Sequence, residues 1–133
     1  MSKGILCTVD FSETSEETVK WAVSLAKELN CSLTILYTYR LTKKFNEDVV
    51  AYKKRMEQQA VEKFERWESL FLRPSGVRYT LKAEIGFMSD RVEDHTRKNA
   101  VSFLVMDKKM STDNRETFNE LVEHMNVPLV IVP

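Results

Sequence analysis

The stretch Gly4-Ile5-Leu6-Cys7-Thr8-Val9-Asp10-Phe11-Ser12-Glu13 decides the fold. Ile5 to Val9 are mostly apolar and β-favouring, in a run too short for a helical period. An acid, Asp10, follows at once, and then a cluster of hydroxyl and acidic residues from Ser12 to Glu17. A short apolar strand running straight into a helix start is the beginning of a βα unit. A strand buried on both faces is apolar along its whole length, as in parallel sheets. In open α/β sheets ligands sit beyond the carboxyl ends of the strands, near the point where strand order reverses. Asp10 stands at such an end.

The rest of the chain repeats this unit. A helix is predicted from about Ser15 to Asn30, with Thr14 and Glu17 as a capping box and Val19, Ala22, Val23, Ala26 and Leu29 on one face. Leu33 to Tyr37 read as a second interior strand. After a polar connection from Arg40 to Asn46, a long helix is predicted from about Glu47 to Leu72. Its apolar stripe is Val49, Tyr52, Met56, Ala60, Phe64, Trp67 and Phe71, and its first turns are expected to project or break. Pro74-Ser75-Gly76 ends it. Val77 to Ile85 alternate with charged and polar residues, the mark of a half-exposed edge strand. Ser89 is the expected N-cap of a short helix to about Lys98. Val101 to Met106 form another interior strand, followed by a polar loop from Asp107 to Thr112. Asp113 and Glu116 are read as a capping box for a last helix whose apolar face is Phe118, Leu121, Val122 and Met125. Pro128 to Val132 is the final strand. The order βαβαβαβαβ, with right-handed crossovers, predicts one three-layer α/β domain over 1–133. Its five-stranded, mainly parallel Rossmann-like sheet has the order 3-2-1-4-5, with Ile5 to Val9 central.

Composition narrows the function. Among 133 residues, Lys plus Arg and Asp plus Glu number 20 each, so the net charge is zero and nothing draws the whole chain to nucleic acid or a membrane surface. The apolar runs are strand-sized, too short to span a bilayer. Met1-Ser2-Lys3 leads directly into a strand, so no signal peptide is expected. Two cysteines, Cys7 and Cys31, in or beside apolar strands, fit a reduced, cytoplasmic protein with inert thiols. No Cys/His spacing suggests a metal site.

Ile5-Leu6-Cys7-Thr8-Val9-Asp10-Phe11-Ser12, Trp21-Ala22 through Leu25-Ala26 to Leu29, Gly86 before the helix carrying Val92, Phe103 to Met106, and Val127 to Val132 together carry a resemblance. In order and spacing they resemble the universal stress protein family along essentially the whole chain. The resemblance implies the adenine nucleotide alpha hydrolase-like form of the α/β fold. It also implies a stress-response role and a homodimer paired through the last strand, Leu129, Val130, Ile131 and Val132. Where family members bind ATP, a glycine follows the fourth strand, then two residues, a second glycine, nine residues, and Gly-Ser or Gly-Thr. Counted from Met106 those places fall on Asp107, Met110, Glu120 and Leu121; counted back from Pro128, Arg115-Glu116 stand in for the Gly-Ser pair. Neither register supplies a glycine, and the chain has only three, Gly4, Gly76 and Gly86. Such glycines let backbone amides approach phosphates. The chain thus resembles the branch of the family lacking the ATP loop, and no ATP or AMP cofactor is expected. If a nucleotide does bind, the resemblance places Asp10, Thr38 (where the family has valine), Gly86 and Met106 around it. Lys108, Lys109 and Arg115 leave room for an anion of another kind.

Other chemistry finds less support. A receiver domain would need a phosphoacceptor Asp after the third strand and a Lys after the fifth, and Ile85-Gly86-Phe87 and Val132-Pro133 offer neither. His95 reads as a surface residue of a charged run, because no nucleophile or carboxylate pattern accompanies it. His124 suits a helix carboxyl end. A redox role for Cys7 or Cys31 lacks a CxxC pair. Two readings stand. One is a non-enzymatic protein that acts by self-association and through protein partners. The other is an adenine nucleotide or small-molecule sensor built on Asp10.

Overall fold

The structure, a computed structural model, describes residues 4–41, 48–113 and 115–133; the side chains of 111–117 fall outside that description. Most of the connection expected at 40–46 and the expected Asp113–Glu116 capping box lie outside the described residues. Five parallel strands form one sheet in the order β3-β2-β1-β4-β5. They are β1 (Gly4–Val9), β2 (Ser32–Tyr39), β3 (Tyr79–Ile85), β4 (Val101–Asp107) and β5 (Leu129–Val132). Alternation within β1 divides the core. Ile5, Cys7 and Val9 join one cluster with Val19, Ala22, Phe64 and Trp67, beneath α1 (Glu13–Leu29) and α2 (Val49–Trp67). Leu6 joins the other, with Leu36, Val92, Leu104, Met106 and Leu121, beneath α4 (Met88–Lys98) and α6 (Arg115–His124). A central strand apolar on both faces is what three layers require. Each buried aliphatic side chain contributes roughly 1.5–3 kcal/mol. On β3, Thr80 and Lys82 are exposed, as the alternation predicts for an edge.

Several local expectations change. The N-cap of α1 is Ser12, not Thr14: the Ser12 side chain accepts from the Ser15 amide. The shift follows from Phe11, whose φ of 63° turns the chain before the helix starts. Asn30, left-handed at φ 53°, ends α1 as expected. The long helix starts behind Asp48, whose carboxylate accepts from the Val50 and Ala51 amides. Its first turn projects, leaving Val49 and Val50 exposed. Near its end it passes through a π-helical turn (Glu68–Leu72) into α3 (Arg73–Ser75), and Gly76, at φ 75°, closes it. Phe87, not Ser89, occupies the N-cap of α4, and Ser89 is buried in its first turn. The expected polar loop after the fourth strand is mostly helix. Asp107 completes β4 and α5 (Lys108–Asp113) follows directly. Val122, expected to be apolar core, is exposed; only Leu121 beside it is fully buried.

Candidate functional site

All five strands run the same way, so their carboxyl ends share one rim of the sheet. Chain order reverses between β1 and β4, the two neighbours whose ends flank a ligand crevice in this kind of fold. Register sets what meets there. Val9 pairs with Tyr37, so Asp10 is level with Thr38; Cys7 pairs with Val105, so Asp107 is level with Val9.

Asp10 is exposed yet tightly oriented. Its Oδ1 accepts from the Ser12 amide at 3.0 Å and the Ser15 hydroxyl at 2.7 Å. Its own amide donates to Ser15 Oγ at 2.9 Å. Ser15 is fully buried, so its hydroxyl is a fixed anchor. Burial pushes the Asp10 carboxyl up, but the hydrogen bonds from Ser12 and Ser15 and the charge of Lys109 hold it below the ordinary carboxylate value. Behind it the Phe11 ring packs against Tyr37 at 5.1 Å and Trp67 at 4.9 Å. Those ring contacts hold a non-glycine residue at positive φ.

Asp107 is only 2% exposed. Its Oδ1 accepts from the Met110 amide at 2.6 Å, and its Oδ2 accepts from Thr14 Oγ1 at 3.3 Å. One carboxyl group thus caps the start of α5 and ties β4 to the first turn of α1 across the reversal point. Burial, and then the Asp107 charge, push the neighbouring Cys7 thiol well above its usual range. A thiol held protonated is a poor nucleophile.

The remaining predicted residues spread along the rim. Thr38 is half-buried and pairs with Glu84 of β3. Gly86, beyond β3, has φ 131° and donates its amide to Tyr39 O at 2.9 Å. A Cβ there would stand 3.4 Å from Arg91 Nε. Beside it the Arg40 guanidinium lies 4.2 Å from the centre of the Phe87 ring. Met106 is fully buried in the α4 and α6 layer. Sequence reasoning passed over two features. Asp107 reads in the sequence as the start of a polar loop, although an acid at a strand end directly before a helix is a capping signal. His95 is not a lone surface residue: its Nε2 lies 2.9 Å from Glu84 Oε1, and the ring is mostly buried. No signal in the sequence links Glu84 on β3 to His95 on α4. Among the described residues no cluster of three His, Cys, Asp or Glu side chains is placed to hold a metal ion. No described helix is long and apolar enough to cross a membrane.

Solved structures share this architecture. A universal stress protein family member from Burkholderia pseudomallei superposes with a TM-score of 0.75 at 18% identity, over 98% of this chain and 95% of that one. The universal stress protein UspA of Lactobacillus plantarum gives 0.76 at 15% identity, over 98% and 97%. A universal stress protein of Archaeoglobus fulgidus, solved in complex with dAMP, gives 0.69 at 13% identity, over 98% of both chains. A comparison with curated proteins gives no match. Identities this low speak for the fold alone, but the family itself is matched along residues 1–133. The chain belongs to the universal stress protein family.

Proposed function

We propose that this chain is a non-enzymatic stress-response protein that pairs with itself through β5, engages protein partners, and does not bind ATP tightly. The observation that carries the nucleotide half of this reading is the Asp107 carboxyl on the Met110 amide. Where the ATP-binding members have a glycine, this chain has a buried acid. The acid occupies an amide that would otherwise face a phosphate, and it adds negative charge beside it. A charge-assisted hydrogen bond is worth roughly 1.5–3 kcal/mol, so losing two weakens binding by about two to four decades. For pairing, the support is that β5 ends the sheet order and that Ile131 is 36% exposed there, without charge or proline inside the strand.

A second reading rests on Asp10. An exposed carboxylate oriented by Ser12 and Ser15 suits a ribose hydroxyl or a base amine, and the Archaeoglobus fulgidus relative was solved with dAMP. Here that reading means a nucleoside held weakly without its phosphates. Calorimetry with ATP, AMP and adenosine separates the two. No measurable ATP heat at about millimolar concentration is expected. Micromolar ATP affinity abolished by Asp10→Ala would overturn the first reading and install a nucleotide sensor.

A further inference from the structure

We propose that a cleft beneath the last turn of α4, at the amino ends of β1 and β2, binds a small primary amine as its ammonium ion. His95 Nδ1 and the hydroxyls of Ser32 and Thr34 accept its three N–H groups. The cleft lies at the opposite rim of the sheet from Asp10 and Asp107, and its chemistry is independent of the function proposed above.

Register and helical spacing bring these groups together. Ser32 and Thr34 are two apart on β2 and so share a face of the sheet. Thr34 is level with Leu6, whose side chain joins the core beneath α4 and α6, so that face looks toward α4. His95 and Asn99 stand one helical turn apart at the end of α4. All four line one cleft of about 180 Å³, with Leu6 and Val101 among its apolar lining. A Cβ on Gly4 would stand 3.3 Å from Ser32 Oγ, so the bare glycine leaves that hydroxyl its room.

The pairing of His95 with Glu84 sets the polarity of the cleft. Nε2 lies 2.9 Å from Glu84 Oε1, and the His95 side chain is only 14% exposed. In a neutral imidazole, the nitrogen facing a carboxylate carries the proton, which makes Nδ1 a lone-pair acceptor. The carboxylate behind the ring makes that lone pair more basic. Among the described residues Nδ1 has no partner, and it is not sealed from solvent, so it opens into the cleft. The Ser32 and Thr34 hydroxyls are likewise unengaged by any described residue. Asn99 Nδ2 donates to His95 O at 3.3 Å, which leaves Asn99 Oδ1 as a further acceptor.

These features select an ammonium ion. No Lys or Arg is among the described residues lining the cleft, so an anion finds no counter-charge there. Arg97 and Lys98, in the same turn of α4, are exposed and do not line it. The carboxyl end of α4, with its negative partial charge, adjoins the cleft and favours a cation. A primary ammonium has three N–H donors and no acceptor, matching an acceptor set of one imidazole nitrogen and two hydroxyls. A metal ion fits less well, because His95 is the only imidazole, thiol or carboxylate among those lining residues. The volume equals roughly six waters at about 30 Å³ each, which holds an amine of a few carbons lying against Leu6 and Val101.

Long-range proton–nitrogen NMR of the full chain at about pH 8 follows both histidine rings during titration with ethylamine, tetramethylammonium or acetate at constant ionic strength. Exposed His124 is the internal control. Ethylamine is expected to shift His95 Nδ1 saturably, with a dissociation constant of about 1 mM, near the limit for so few atoms. Tetramethylammonium, a cation without N–H donors, is expected to leave the ring unmoved. Thr34→Val, which keeps a branched residue on β2, weakens ethylamine about fivefold. Glu84→Gln, which removes the charge behind the ring, weakens it by a similar factor. The amide spectrum of each variant shows whether it is folded. Equal saturation by tetramethylammonium, a His95 shift with acetate but not ethylamine, or equal shifts in His95 and His124 overturns the proposal. So does an ethylamine affinity unchanged in folded Thr34→Val and Glu84→Gln.

Discussion

Two aspartates stand at neighbouring strand ends, and their surroundings give them opposite tasks. Asp10, after β1, is exposed and presents a carboxylate oriented by Ser12 and Ser15. Asp107, at the end of β4, is buried and spends its oxygens on the Met110 amide and the Thr14 hydroxyl. The first leaves a fixed carboxylate open to solvent. The second is a structural part of the chain that caps α5 and ties β4 to the start of α1. The difference teaches that an acid at a strand end in this fold is not by itself a ligand group. What matters is whether its lone pairs are already engaged.

The largest effect expected from this contrast is on stability. Asp107→Ala removes the cap of α5 and leaves a buried amide without its acceptor, at a cost of about 2 kcal/mol. Asp107→Asn keeps an acceptor and costs less. Urea denaturation monitored by Trp67 fluorescence measures both, and an Asp107→Ala protein as stable as wild type removes the structural role assigned here.

Asp10→Ala should cost less, about 1 kcal/mol near neutral pH, because the Ser12 amide it frees is exposed and the buried Ser15 hydroxyl still accepts from the amide of residue 10. This cost depends on pH with a definite sign. The folded-state pKa lies below the ordinary value of 3.8, so the charged form is the one folding favours. The contribution is complete above that value, where the carboxyl is ionised in both states. It is lost as the pH falls through the folded pKa, because the unfolded chain takes up its proton first. The stability gap between wild type and Asp10→Ala therefore narrows as the pH falls below about 3.8 and goes on narrowing through the lower folded-state value. A gap that widens on acidification contradicts the orientation described for this carboxylate.

The smallest effect is at the link between the two regions. Thr14→Val removes the 3.3 Å bond to Asp107 Oδ2 and keeps the helix, at about 0.5 kcal/mol. Paired with Asp107→Ala in a double-mutant cycle, it measures how strongly the two strand ends are coupled. A coupling of zero says that they are independent.

Much of the fold was legible in advance because its signals are local or periodic. The continuous apolar runs of β1, β2 and β4, the alternation of β3 and the crossover rule lead to the observed strand order. Cap positions were less legible. Thr14 and Ser89 have the right chemistry, but Ser12 and Phe87 stand at the caps, because the turns at Phe11 and Gly86 decide where each helix begins. Asp107 was visible as a charge but not as a cap, since a capping acid and a loop acid look alike until the backbone behind them is placed.

The sequence by itself determined the strand count, their direction, the central place of Ile5 to Val9, and the absence of glycines after the fourth strand. Each of these follows from residue type and spacing, which act over a few positions. Only the tertiary structure decided that Asp107 turns inward to meet Thr14, 93 positions away in sequence. Tertiary packing likewise set Glu84 against His95 and left Trp21 and Val122 exposed. Those outcomes depend on which faces of distant elements meet, and that is settled when two helix layers close on one sheet.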